Sequence, residues 1–221
     1  MAVKPTPYLE IYERVLAPLR FRRCALLELG VWDGDSLIMW RRGMPRATIV
    51  GVDLQPPDLD LGHRVKIVGG DQTDGALLRR IRDEHAPGGF DVIIDDASHL
   101  GVTTARSLQR LYREHLRPGG IYCIEDWGTG YLPTWADGAE LTGLVGSDEL
   151  DRTPSAQDLD HSGPVHLPSH DVGMVGLVKR LVDHVAAGAT LAYLAPEHVA
   201  EPLEIATMEV YDGLVVLRKP R

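Results

Sequence analysis

The sequence predicts an α/β fold, a doubly wound and mostly parallel sheet closed by a C-terminal antiparallel hairpin. Three observations carry this. Short apolar runs alternate with stretches of helical spacing through the first 126 residues, as crossover helices between parallel strands require. The carboxyl ends of those runs hold Gly, Asp and Glu, and residues there face the crevice of an open sheet. Near the end, Asp212-Gly213 joins two strand-like runs, the dipeptide of a two-residue hairpin. The 221 residues suffice for one such domain, 1–221.

The elements follow in order. Leu9–Leu19 has apolar residues at helical spacing and reads as a leading helix. Cys24–Leu29 is a short buried strand, followed by a helix over Asp35–Arg42 and a second strand over Ala47–Val52. Arg64–Val68 is a third strand. Asp74–His85 is a helix with Leu77, Leu78 and Ile81 on its apolar side, and Phe90–Ile94 a fourth strand. Thr103–Leu116 reads as a helix closed by Pro118-Gly119-Gly120, and Ile121–Ile124 as a fifth strand. From Trp127 to Asp171 the pattern lapses: Gly and Pro are frequent, and eight acidic residues face a single basic one, Arg152. A loop of that length implies a lid, a binding loop or a disordered stretch, and a lid is expected. Helical spacing returns over Val172–Ala187, and Ile205–Leu217 forms the hairpin.

Composition narrows the function classes. Hydrophobic residues make up 44% and charged residues 25% of the chain, as in soluble globular proteins. A net charge of -9 argues against a nucleic-acid partner, whose binders carry a basic face. The N-terminus shows no signal-peptide pattern and the chain no apolar span of membrane length. Cys24 and Cys123 lie in apolar runs and read as reduced core thiols, which fits a cytoplasmic protein.

The first strand runs into LLELGVWDGDS, Leu26 to Ser36. An acid, Glu28, then Gly30 and Gly34 ahead of a helix bring backbone N–H groups toward a ligand. The G-x-x-x-G spacing lacks the dinucleotide fingerprint. Asp53 ends the second strand in GVDL, about twenty residues on, where a carboxylate can accept from ribose hydroxyls. GGDQTD sets Asp71 and Gln72 at the end of the third. Three successive strand ends with polar groups mark a nucleoside-like ligand. In this order the motifs resemble those of class I methyltransferases, which use S-adenosylmethionine on a Rossmann-like fold. The resemblance implies that Glu28, Gly30, Ser36, Asp53, Asp71, Gln72 and Asp95 serve the cofactor.

The fourth strand drives into Asp95, Asp96 and His99 (FDVIIDDASH), and the fifth into Glu125 and Asp126 (IEDWGTGY). If those strands are neighbours, four carboxylates crowd together beside the crevice. Carboxylates so close must protonate, move apart or share a cation, and a hard divalent ion with oxygen ligands, Mg²⁺ above all, would resolve this. IIDDASH and IEDWGTGY resemble the paired motifs of metal-dependent sugar O-methyltransferases of macrolide tailoring and of the cephalosporin-hydroxylase-like group. That resemblance implies Asp96, Glu125 and Asp126 as metal ligands and His99 as general base. It also implies a carbohydrate acceptor and, among compact relatives, the enzymes that methylate mannosides in methylmannose polysaccharide synthesis. A non-methylating member of the same fold is the alternative. An NAD-dependent oxidoreductase is disfavoured because hydride transfer needs no acidic cluster. A homo-oligomer, a dimer, is expected.

Other residues carry lesser expectations. His161, His166 and His170 read as solvated loop residues and His115 as a helix cap. Trp127, Tyr131 and Trp135 either stack on a sugar or anchor the loop.

Overall fold

The computed structural model describes residues 4–139, 170–190 and 202–221. Seven strands form one sheet: β1 Ala25–Leu29, β2 Thr48–Asp53, β3 Val65–Gly69, β4 Phe90–Asp95, β5 Leu116–Glu125, β6 Thr207–Val210 and β7 Leu214–Arg218. Their spatial order is β3-β2-β1-β4-β5-β7-β6. The pairings from β3 through β5 are parallel, and β7 runs antiparallel to both β5 and β6. The predicted sheet and closing hairpin are therefore present. The order reverses between β1 and β4, which opens a crevice at their carboxyl ends.

Alternation along the strands divides the core into two layers. Leu27, Leu29, Val50, Val52, Ile93, Tyr122 and Ile124 face one side, under the helices α3 (Gly75–His85), α4 (Gly101–Arg110) and α5 (Gly173–Thr190). Leu26, Ile49, Val92, Ile94, Ile121 and Cys123 face the other, packed by Tyr8, Tyr12 and Val15 of α1 (Thr6–Leu16) and Leu37 and Trp40 of α2 (Asp35–Gly43). Both strand faces are buried, which is why these runs read as continuous apolar segments. Both cysteines are free thiols, Cys123 buried and Cys24 half-buried.

Two helix boundaries differ from the sequence reading. The leading helix begins at Thr6, where Pro5 stands at the N-cap, and ends at Leu16 in a 3₁₀ turn over Ala17–Leu19. Proline is well tolerated at such a start, and it outweighed the later onset of apolar spacing. The helix expected over Thr103–Leu116 instead starts at Gly101, where a side chain would strike the backbone of Gly173 at the head of α5. It then passes through a π turn at Leu111–His115 into β5, so Pro118-Gly119-Gly120 lies within an irregular strand start rather than after a helix.

Candidate functional site

The loops leaving β1, β4 and β5 each place a non-glycine residue in the left-handed region: Trp32 at φ 47°, His99 at φ 50° and Asp126 at φ 55°. Such conformations are costly for side chains with a Cβ and gather where a fold is bent to a task. Gly30, at φ 84°, sits so close to the Asp96 carbonyl that a Cβ would collide with it. The β1 and β4 loops are thereby pressed together at the sheet's reversal point.

On the β2–β3 side the polar groups are held by backbone donors. Asp53 Oδ2 accepts from the amides of Val31 at 2.8 Å and Trp32 at 3.0 Å, and Oδ1 from Gln55 at 2.9 Å. Burial pushes this carboxyl up, but the three amides outweigh it and hold the pKa below its ordinary value. Asp71 closes a turn on Thr73. Gln72 is buried, donating to Ser107 Oγ at 2.8 Å and Asp95 Oδ1 at 3.2 Å. Glu28 is buried as well, accepting from Ser36 at 2.7 Å and Trp40 at 3.0 Å.

The four carboxylates of β4 and β5 do not form one patch. The pleat turns Asp95 to the α3–α4 face, where Tyr122 donates to it at 2.9 Å and burial raises its pKa to about 7. Asp96, His99 and Asp126 do come together, with ligand atoms within 4.8 Å of one another and His99 Nε2 3.8 Å from Asp96 Oδ1. Glu125 stands beside them with Oε1 engaged by Lys4 Nζ at 2.7 Å and by the Tyr12 hydroxyl at 2.6 Å. Two carboxylates and an imidazole at that spacing fit a divalent cation, and the oxygens suit a hard ion such as Mg²⁺.

Sequence reasoning missed the segment that flanks this cluster. Lys4 Nζ lies 2.8 Å from Asp96 Oδ2 and 3.2 Å from Glu28 Oε1, and Tyr8 donates to Asp126 Oδ1 at 2.7 Å. Burial alone would lower the Lys4 pKa, yet Glu28, Glu125 and Asp96 raise it well above the ordinary lysine value. The available signal was the four-residue spacing of Lys4, Tyr8 and Tyr12, which places them along one side of the leading segment.

The remaining expectations divide. Trp127 anchors its turn by donating to the Tyr211 carbonyl at 2.9 Å, while Trp135 packs edge-on against His99 at 5.3 Å between ring centroids. Tyr131 meets His170 at 5.0 Å, so His170 is a packed residue and not a solvated one. His161 and His166 lie outside the described residues. His115 is no cap: it is buried, and neither ring nitrogen has a hydrogen-bond partner. Asp137, also unforeseen, accepts from the amides of Gly101 at 2.8 Å and Met174 at 2.7 Å, tying the loop after β5 to the starts of α4 and α5. A cavity of about 750 Å³ is lined by Tyr112, His184, Leu203 and Lys219, at the opposite end of β5 and β7 from the acids.

No family model matches the chain. It is similar to mycinamicin VI 2''-O-methyltransferase of Micromonospora griseorubida, 37% identical over 146 residues that cover 60% of this chain and 35% of that protein. Demethylmacrocin O-methyltransferase of Streptomyces fradiae is 33% identical over 179 residues, 74% of this chain and 44% of the relative. Among solved structures, the MycE methyltransferase of the mycinamycin biosynthetic pathway, in complex with Mg, SAH and mycinamycin VI, aligns at a TM-score of 0.66 and 28% identity. That alignment covers 97% of this chain and 50% of MycE. The chain thus spans half or less of the length of these relatives. Strand order and likeness together define a class I methyltransferase fold. Within that class, the chain is a homologue of the macrolide and tetracenomycin sugar O-methyltransferases. Among the described residues no helix is long and apolar enough to cross a membrane.

Proposed function

We propose that this chain carries a Mg²⁺-dependent O-methyltransferase activity, moving a methyl group from S-adenosylmethionine to a hydroxyl of a carbohydrate or glycosylated small molecule. The observation that carries the reading is the meeting of Asp96, His99 and Asp126 at the crevice between β1 and β4. Asp96 and Asp126 are the residues to hold the ion; Glu125 stands beside them, with Oε1 engaged by Lys4 and Tyr12. Glu28, Gly30, Ser36, Asp53, Asp71, Gln72 and Asp95 remain the proposed cofactor residues. Asp53 is the ribose partner, its charge favoured by three backbone amides.

When bound, the ion supplies positive charge beside the acceptor hydroxyl, and the cofactor supplies an electrophilic methyl on its sulfonium. The chain's own residues do the rest. His99, on a strained loop and backed by Trp135, accepts the hydroxyl proton as general base. With its proton on His99, the acceptor oxygen would be the nucleophile toward that methyl, and the bonding pair would stay with the cofactor's sulfur. The lid expected over 127–171 falls mostly on residues 140–169, which lie outside the described residues; of the described part, Asp137 ties the loop to the starts of α4 and α5. A mannoside is the acceptor we favour within the carbohydrate class. A cytoplasmic homodimer formed from one domain, 1–221, completes the reading.

Calorimetric titration with S-adenosylmethionine, with and without Mg²⁺, followed by transfer of labelled methyl to a panel of mannosides and other glycosides, tests it. Transfer to a sugar hydroxyl that stops on metal removal is the expected result. Undiminished transfer by metal-stripped protein, or no cofactor binding at all, overturns it.

A further inference from the structure

We propose that Lys4 is a resident counter-ion of the acidic cluster, filling its inner half and confining a divalent ion to the outer half between Asp96 Oδ1 and Asp126. The inference rests on the metal-dependent reading above and adds a residue of this chain to it.

An ammonium has three hydrogen-bond donors. Lys4 has three carboxylate oxygens around it: Glu125 Oε1 at 2.7 Å, Asp96 Oδ2 at 2.8 Å and Glu28 Oε1 at 3.2 Å. Its side chain is only 5% exposed. A lysine so deeply withdrawn from water is tolerable only when paired, and an unpaired carboxylate at the same depth is no better off. Lys4 therefore supplies the positive charge that the buried Glu28 and Glu125 carboxylates face.

The seat is built into the fold. Lys4 stands one residue before Pro5, the N-cap of α1, and that helix is fastened to the cluster by Tyr8 on Asp126 Oδ1 at 2.7 Å and Tyr12 on Glu125 Oε1 at 2.6 Å. Tyr8 is itself backed by the Asp212-Gly213 turn, where a Cβ on Gly213 would collide with its hydroxyl. Asp96 and Asp126 are each held by one oxygen from the N-terminal side. The other oxygen of Asp96, Oδ1, is the one beside His99. Lys4 and the divalent ion thus share Asp96 from opposite sides. Like charges across one carboxylate oppose each other, so Lys4 keeps the ion exchangeable while fixing which oxygen is offered to it.

Reductive methylation of the intact protein, read by peptide mass spectrometry, tests the seat without any substitution. Exposed Lys66 is the internal reference. Lys4 is expected to react at least tenfold more slowly than Lys66, both without metal and with saturating Mn²⁺. Reaction at the rate of Lys66 without metal overturns the seat, and deprotection on adding Mn²⁺ overturns coexistence with the ion. In a second measurement, Lys4→Met should bind Mn²⁺ at least tenfold more tightly by electron paramagnetic resonance. Unchanged or weaker binding overturns the counter-ion role, and if the variant does not fold, the wild-type labelling still decides. Should the wild type bind no Mn²⁺, the metal reading falls and the confinement with it, whereas Lys4 labelling without metal reports separately on the seat.

Discussion

The two sides of the crevice hold their carboxylates in different ways. At the ends of β2 and β3, Asp53 and Asp71 are fixed by amides and a hydroxyl from nearby loops: Asp71 by Thr73, and Asp53 by Gln55, Val31 and Trp32. At the ends of β4 and β5, Asp96, Glu125 and Asp126 are held by side chains from residues 4, 12 and 8, more than ninety positions away in the chain. Asp71 closes on its own loop, and two of the three amides on Asp53 come from the β1 loop, so the first side needs only β1 and β2 paired. Side-chain donors exist only once α1 has docked, so the second side depends on tertiary assembly. A rigid, locally made cradle suits a cofactor recognised by hydrogen bonds. A cluster whose charge balance is set by a distant lysine suits an exchangeable ion.

The largest effect is expected where the comparison is sharpest. Removal of metal by EDTA, or Asp126→Ala, should abolish turnover, with Mg²⁺ restoring activity only to the wild type. Cofactor affinity measured by calorimetry should stay within a few-fold, because the β2–β3 side is independent. Loss of both together would erase the distinction between the sides.

His99→Ala should lower kcat by roughly 10²–10⁴, the worth of a general base, with Mn²⁺ affinity little changed. A variant that loses the ion instead would make His99 a ligand, as its place in the cluster allows.

Asp95 offers a pH test, since it neighbours Asp96 in sequence but faces the other layer. Its folded pKa is raised to about 7 by burial, against the favourable bonds from Tyr122 and Gln72. The folded state therefore retains a proton that the unfolded state releases near its ordinary value. Stability from this group is full below ~pH 4 and is lost as pH rises through about 7, by at most ~4 kcal/mol. Asp95→Asn should flatten that slope in denaturant titrations between pH 5 and 8. An unchanged slope would mean that the proton resides elsewhere.

Glu125→Gln should lower stability by ~1–3 kcal/mol, through loss of charge beside Lys4, while Mn²⁺ affinity falls less than in Asp126→Ala. Equal loss of the ion in both variants would place Glu125 among the ligands. The smallest effect is expected from Asp53→Ala, ~1–2 kcal/mol in cofactor binding by calorimetry, because the neighbouring amides remain to be satisfied by water. No change would remove Asp53 from the cofactor site.

The sequence by itself determined the order of strands and helices, because apolar periodicity is a local property that survives into the buried sheet: β1, β2, β4 and the Asp212-Gly213 hairpin all lie where their patterns put them. It also determined which strand ends gather polar groups, since Asp53 closes β2 and Asp96, His99 and Asp126 lie just past the ends of β4 and β5. Helix ends were less legible, as Gly101 shows, because its placement answers to Gly173 more than seventy residues on. Only the tertiary structure decided which neighbouring carboxylates share a site. The pleat sends Asp95 to one face and Glu125 to the other, and adjacency in the chain says nothing of that. Lys4, Tyr8 and Tyr12 were likewise hidden, for a physical reason: their spacing is that of any helix face, and their partners are supplied by strands about a hundred residues away.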